Sequence, residues 1–125
     1  MGLKIDFKRL KDSFKFAFKG LKTVFKEEQC FRIELAATVF VSIAAFCFPL
    51  SPAERYAVFI LILLVLASEI LNSIIERIMD VVHPSFDGKV EKIKDISSAL
   101  VLILSIAAAA IGLLIFLPYL TDVLA

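Results

Sequence analysis

"ASEILNSIIERIMD", residues 67–80, places Glu69, Asn72, Ser73 and Glu76 directly beyond a run of twelve uncharged residues, Tyr56 to Ala67, most of them Leu, Ile or Val. A helix through 56–82 is long enough to cross a bilayer, upright or tilted. Burying a carboxylate in such a helix costs several kcal/mol unless it is partnered or protonated. The spacing shows how these polar groups are arranged. At 100° per residue Glu69, Asn72, Ser73, Glu76 and Asp80 share one sector about 100° wide. A polar stripe on a membrane helix faces protein or a water-filled site rather than lipid.

The residues on either side of this stretch support a membrane reading. Of the 125 residues, 60% are hydrophobic, above the roughly 45–50% of soluble domains. Charges crowd into the first 34 residues and into 76–95, and Ile96 to Thr121 carry none. Residues 30–50 form a further apolar segment. Its uncharged part, Leu35 to Phe48, is short of the roughly 20 residues a span needs, and the flanking residues make up the length. "FPLSPAER" turns the chain, with its two prolines as breakers, and "HPSFDGKVEKIKD", 83–95, reads as a polar loop. The expected architecture is one all-α membrane domain, 1–125. It comprises an amphipathic surface helix within 1–28 and transmembrane helices at 30–50, 56–82 and 96–121.

The N-terminal segment reads as a surface helix rather than a signal peptide. Its lysines at 4, 8, 11, 15, 19, 22 and 26 fall on one helical face, and Leu3, Phe7, Leu10, Phe14, Phe18, Leu21 and Phe25 recur on the opposite one. A lysine face backed by a Phe/Leu face suits a membrane interface. Of the fourteen Lys and Arg, nine lie in 1–32 and four in 77–94, and Arg55 is alone in the turn between the first two spans. Three spans put the first two groups on one side, so the positive-inside rule makes the N-terminus and the 83–95 loop cytoplasmic.

Other chemistries are excluded by what is missing. The four glycines form neither GxxxxGK[ST] nor GxGxxG, and the single histidine, His83, rules out a His/Cys zinc set from one chain. His83-Pro84 reads as the turn after a helix. The basic face fits lipid headgroups better than nucleic acid. Cys30 and Cys47 sit about 25 Å apart along one helix, so they are expected as buried free thiols rather than a disulfide.

Glu69 and Glu76 are seven residues apart, about 10 Å along the axis, too far for both to grip one small ion. Separate tasks follow. Glu76, nearer the water, suits a metal, and Glu69, deeper, suits a proton. Glu28, Glu34, Lys94 and Asp95 fall near the same depth and supply further acids for a divalent metal and cations for phosphate. Two non-catalytic readings also fit these residues. The stripe is then helix-pairing glue that meets Arg77 and Lys94, or the path of a small ion or proton conductor.

"SEILNSIIERIMD", 68–80, followed eleven residues later by "KIKDISSALVLI", 92–103, resembles the prokaryotic diacylglycerol kinase family. These are integral membrane lipid kinases that include undecaprenol kinases. Their pattern is E-[LI]-L-N-[ST]-A-I-E, a short loop, then K-D and small residues. "FKGLKTVFKEEQCFRIE", 18–34, resembles the family's N-terminal signature of a Gly, a Glu, a Phe-Arg pair and a second Glu. The resemblance covers nearly the whole chain.

It implies an enzyme of the bacterial inner membrane that uses ATP and Mg²⁺ to phosphorylate diacylglycerol or undecaprenol, working as a homotrimer with sites shared between subunits. It also implies roles. Glu69 is the general base, with Asn72 beside it. Glu28 and Glu76 hold the magnesium, Lys94 holds the nucleotide phosphates, and Asp95 belongs to the same nucleotide-binding corner. Ser85, Phe86 and Asp87 form the loop near the nucleotide. Arg9 lies near nucleotide and lipid, and Phe16, where some members have Tyr, falls in the nucleotide set. Glu34 and Ser98 lie near the lipid headgroup. Ile74 departs from the usual Ala, and a larger side chain there is expected to alter helix packing or the lipid groove. The acceptor is divided: Glu34 in "FRIE" is like the diacylglycerol type, whereas 83–95 and "IGLLIFLPYL", 111–120, are like the undecaprenol type.

Overall fold

The computed structural model describes residues 2–85 and 87–125, and all the regular structure among them is helical. The order is α1 (Phe7–Glu27), α2 (Gln29–Cys47), α3 (Pro52–Val82) and α4 (Gly88–Leu124). The last three are long and apolar enough to cross a membrane.

Each boundary has a local cause. Asp6 starts α1 by accepting from the Arg9 N–H at 3.1 Å, satisfying one of the free donors of the first turn. A single extended residue, Glu28, separates α1 from α2. Arg32 bridges this break. Its Nη1 donates to the carbonyls of Phe25 at 3.0 Å and Lys26 at 2.7 Å, which are among the acceptors a helix leaves unpaired at its C-terminus. The neighbouring Phe31 is buried. The Phe-Arg pair thus packs α2 with one residue and caps α1 with the next.

Two expected boundaries shift. Pro52 begins α3 rather than breaking the chain, because it occupies the first turn behind the Ser51 cap, where its missing N–H costs nothing. Ser51 Oγ accepts from the Glu54 N–H at 3.2 Å and donates to Glu54 Oε1 at 3.1 Å. Residues 88–95, expected as loop, form the first two turns of α4. Asp87 accepts from the Lys89 N–H at 2.8 Å, and the Lys, Glu and Ile that follow tolerate helix well. The α3–α4 connection therefore shrinks to 83–87, with His83 just past the end of α3.

The bundle is fastened at the α2–α3 end. Ala45, Leu50 and Val58 form a small core against Val41, Phe59, Ile62, Phe116 and neighbours. Arg55 Nε caps α2 through the Ala45 carbonyl at 3.1 Å. Tyr119 of α4 donates to the Glu54 carboxylate at 2.9 Å.

Elsewhere the chain is open. Its accessible surface is 9611 Å², against about 6,700 Å² for a soluble monomer of this mass. Large apolar side chains lie exposed along the long helices, with Leu63 at 66% and Leu114 at 74%. Both cysteines are exposed, not buried as expected. The small core of Ala45, Leu50 and Val58 does not include either of them. Ile74, at 47% exposed, lies off the polar face of α3.

Candidate functional site

The polar stripe of α3 collects partners from every other element at the end of the bundle away from that core. Ser73, almost fully buried, donates from Oγ to Glu28 Oε1 at 2.8 Å, across 45 residues of sequence. Arg77, one turn further along, donates from Nε to Ser73 Oγ at 3.2 Å. Its Nη2 reaches Glu27 Oε2 at 2.7 Å and Glu28 Oε1 at 3.3 Å. The break between α1 and α2 is what delivers Glu28. A continuous helix would carry its carboxylate past α3, whereas the extended residue turns it inward.

Asn72 faces α4, where Ser97 Oγ donates to its Oδ1 at 2.8 Å. Near the loop, Lys94 Nζ pairs with Asp80 Oδ1 at 2.6 Å. Glu76 makes no hydrogen bond among the described residues, and it acts electrostatically on both Glu69 and Lys94. Glu28 is likewise close enough to act on Glu69.

One layer deeper, Glu34 of α2 and Glu69 of α3 are neighbours. Ser105 of α4 donates to Glu34 Oε1 at 3.5 Å, and Glu34 Oε2 is buried without a partner among the described residues.

These two layers adjoin two different spaces. A polar cavity of about 260 Å³ at the loop is lined by Asp80, His83, Ser85, Asp87, Lys94 and Asp95, among others. An apolar groove of about 750 Å³ runs between α2, α3 and α4, with Glu34 and Ser105 at its polar end and Phe48 and Phe116 at the other. The first space is rich in carboxylates, Asp80, Asp87, Glu91 and Asp95 against the one lysine, Lys94, and a long hydrocarbon chain suits the second.

Of the residues singled out from sequence, Glu28, Glu34, Glu69, Asn72, Glu76, Lys94, Asp95, Ser85 and Asp87 lie at this end of the bundle. Ser98 is exposed, and the buried α4 serine there is Ser97. Arg9 and Phe16 are exposed on α1, about 28 and 18 Å along the helix from Glu28, so this chain does not bring them to its own site. Phe86 lies outside the described residues.

Reading from sequence passed over Ser97 and Ser105 as site features, whereas the meeting of the stripe with Arg77 and Lys94 was among its readings and is seen at Ser73 and Asp80. The periodicity held a signal for the first two. Val90, Ser97, Val101 and Leu104 recur at helical spacing on the inner face of α4, and Ser105 falls on its edge.

A divalent metal finds suitable donors here, although no group of three or more His, Cys, Asp or Glu among the described residues is drawn together tightly enough to hold one alone. Glu28 and Glu76 offer hard oxygens from two different elements. Magnesium is characteristically bound by one or two carboxylates together with substrate phosphates, so this donor set fits it.

Comparison with known proteins identifies a family. The family profile of prokaryotic diacylglycerol kinases matches residues 15–116. The undecaprenol kinase of Bacillus subtilis (strain 168) is 32% identical over 106 residues, covering 85% of this chain and 86% of that protein. The diacylglycerol kinase of Escherichia coli (strain K12) is 30% identical over 102 residues, 82% of this chain and 84% of that protein. That of Shigella flexneri matches to the same extent.

Proposed function

The chain belongs to the prokaryotic diacylglycerol kinase family, and on that premise we propose that this integral membrane lipid kinase transfers the γ-phosphoryl group of ATP to the hydroxyl of diacylglycerol or undecaprenol. The observation that carries the reading is the junction of the two spaces. Glu69 neighbours Glu34, which lines the groove for hydrocarbon, and its helix runs on through Asn72 and Glu76 to Asp80 at the loop cavity. A lipid hydroxyl and a nucleotide phosphate have to meet at such a boundary, because one reactant is dissolved in the bilayer and the other in water.

The residues divide the work. Glu69 accepts the hydroxyl proton as the lipid oxygen attacks phosphorus, a role that its closeness to the groove-lining Glu34 supports. Asn72, held by Ser97, presents its amide N–H₂ to the reacting groups. Lys94 and Asp95, with Ser85 and Asp87, border the cavity where the phosphates lie. Four carboxylates line this cavity of about 260 Å³, so phosphates would enter it together with a divalent cation that offsets the like charge. Glu28 and Glu76 would hold Mg²⁺. Bound there, the ion neutralises phosphate charge in a reaction governed by positioning and electrostatics. Glu34 and Ser98 lie toward the lipid headgroup.

The same reading covers the assembly. The N-terminal lysine face lies on the cytoplasmic surface of the bacterial inner membrane, with the Phe/Leu face of α1 in the interface. Arg9 and Phe16, too far along α1 to reach their own site, serve the site of a neighbouring subunit in a homotrimer. The apolar surface in excess of a soluble monomer supports burial in lipid and against other subunits.

The test is direct. Detergent-purified protein is incubated with γ-labelled ATP, Mg²⁺ and either diacylglycerol or undecaprenol. Labelled phosphatidic acid or undecaprenyl phosphate is expected, and the productive arm identifies the acceptor. Failure of both arms would refute the kinase reading and favour a non-catalytic ion-conducting or helix-assembly protein.

A further inference from the structure

We propose that Ser73 and Arg77 form a relay that orients Glu28 for the metal, an inference that rests on the kinase reading and adds two positioning residues to it. A serine inside a helix ordinarily turns its hydroxyl back to a carbonyl three or four residues earlier. Ser68, on the same helix, does this, donating to the Val65 carbonyl at 2.7 Å. Ser73 does not. Its oxygen accepts from Arg77 Nε at 3.2 Å, and its proton goes to Glu28 Oε1 at 2.8 Å.

The direction of each bond follows from the donors present. A guanidinium N–H only donates, so Arg77 occupies an oxygen lone pair of Ser73 and leaves the hydroxyl proton for the carboxylate. Glu28 then has Oε1 engaged by Ser73 at 2.8 Å and by Arg77 Nη2 at 3.3 Å. Glu28 Oε2 makes no hydrogen bond among the described residues. The carboxylate is held by one oxygen and presents the other, which is the arrangement a single-oxygen metal ligand requires.

Glu27 completes the device. It takes the shortest Arg77 contact, 2.7 Å, so the guanidinium is anchored there and touches Glu28 only at its margin. Arg77 can therefore orient the ligand without competing strongly with the metal for it. Groups that hold a metal ligand in place typically contribute 10–100-fold in metal affinity or activity. The small hydroxyl and the exposed arginine put this relay at the lower end.

Mn²⁺ binding to the full-length protein in detergent, followed by electron paramagnetic resonance with the β,γ-imido analogue of ATP and no lipid acceptor, tests the relay. Ser73→Ala is expected to bind Mn²⁺ about tenfold more weakly than the unaltered protein. Ser73→Thr, which keeps the hydroxyl, should bind within about twofold of it. Arg77→Lys keeps the charge near Glu27 but loses the Nε–H directed at Ser73, and should bind about threefold more weakly.

Unchanged affinity in Ser73→Ala overturns the proposal. So does a Thr variant as weak as the Ala variant, because the effect would then be packing rather than the hydroxyl. Failure here is separable from failure of the kinase reading. If the protein phosphorylates lipid and Glu28→Gln loses Mn²⁺ while Ser73→Ala keeps it, only the relay falls.

Discussion

Replacing Arg32 with Ala should loosen α1 while leaving the three long helices intact. The guanidinium makes two hydrogen bonds to the last carbonyls of α1, at 3.0 and 2.7 Å. A hydrogen bond with a charged partner contributes about 1.5–3 kcal/mol when shielded. These two are exposed and share one donor nitrogen, so about 1–2 kcal/mol for the pair is the reasonable scale, including the favourable placing of a cation at a helix C-terminus. No residue of α1 is buried, and the exposed Arg77–Glu27 pair at its last residue offsets only part of the loss. Such a change corresponds to a factor of about 5–30 in the equilibrium for local opening.

Hydrogen exchange read by mass spectrometry in detergent micelles measures this directly. Amides in 18–28 should exchange about 5–30 times faster in Arg32→Ala, and those in 58–66 of α3 should not change. Arg32→Lys, with charge but no planar fork, should fall between. Equal protection of 18–28 in the Ala variant and the unaltered protein would refute the capping argument. Equal acceleration along the whole chain would also refute it, since the role would then be global stability.

Three further outcomes are expected. Glu69→Gln should lower kcat by about 10²–10⁴-fold while Mn²⁺–nucleotide binding stays within about twofold, because Glu69 is about 10 Å along α3 from Glu76; steady-state kinetics beside the resonance assay separate the two. Ser97→Ala should free the Asn72 amide to rotate and lower kcat/KM about three- to tenfold, a loss of the size of one hydrogen bond, with thermal stability checked in parallel by differential scanning fluorimetry. Leu50→Ala should destabilise the fold by about 2–4 kcal/mol in denaturant titration and leave the KM for ATP unchanged, since Val58, with which Leu50 packs, is about 27 Å along α3 from Glu76.

Much of this molecule can be read from periodicity and hydropathy. The polar sector of Glu69, Asn72, Ser73 and Glu76 needs only the 3.6-residue turn. The three long apolar helices need only a count of uncharged residues. The motif spacing in 68–80 and 92–103 leads to the family. These properties are local, set by neighbours three and four residues away, and so they survive in a linear string. Boundaries were less legible where a cap outweighs a breaker. Pro52 starts α3 because Ser51 precedes it, and Asp87 turns an apparent loop into two turns of α4.

The partners of the stripe could not be read the same way. That Ser73 serves Glu28, that Ser97 rather than Ser98 meets Asn72, and that Lys94 pairs with Asp80 depend on the angle at the α1–α2 break and on the rotation of α4 against α3. Those quantities come from packing between segments 14 to 45 residues apart. One residue of rotation moves a helical side chain by 100°, enough to exchange one serine for its neighbour. Local spacing ranks the faces of each helix, and only the assembled bundle selects which atoms on those faces meet.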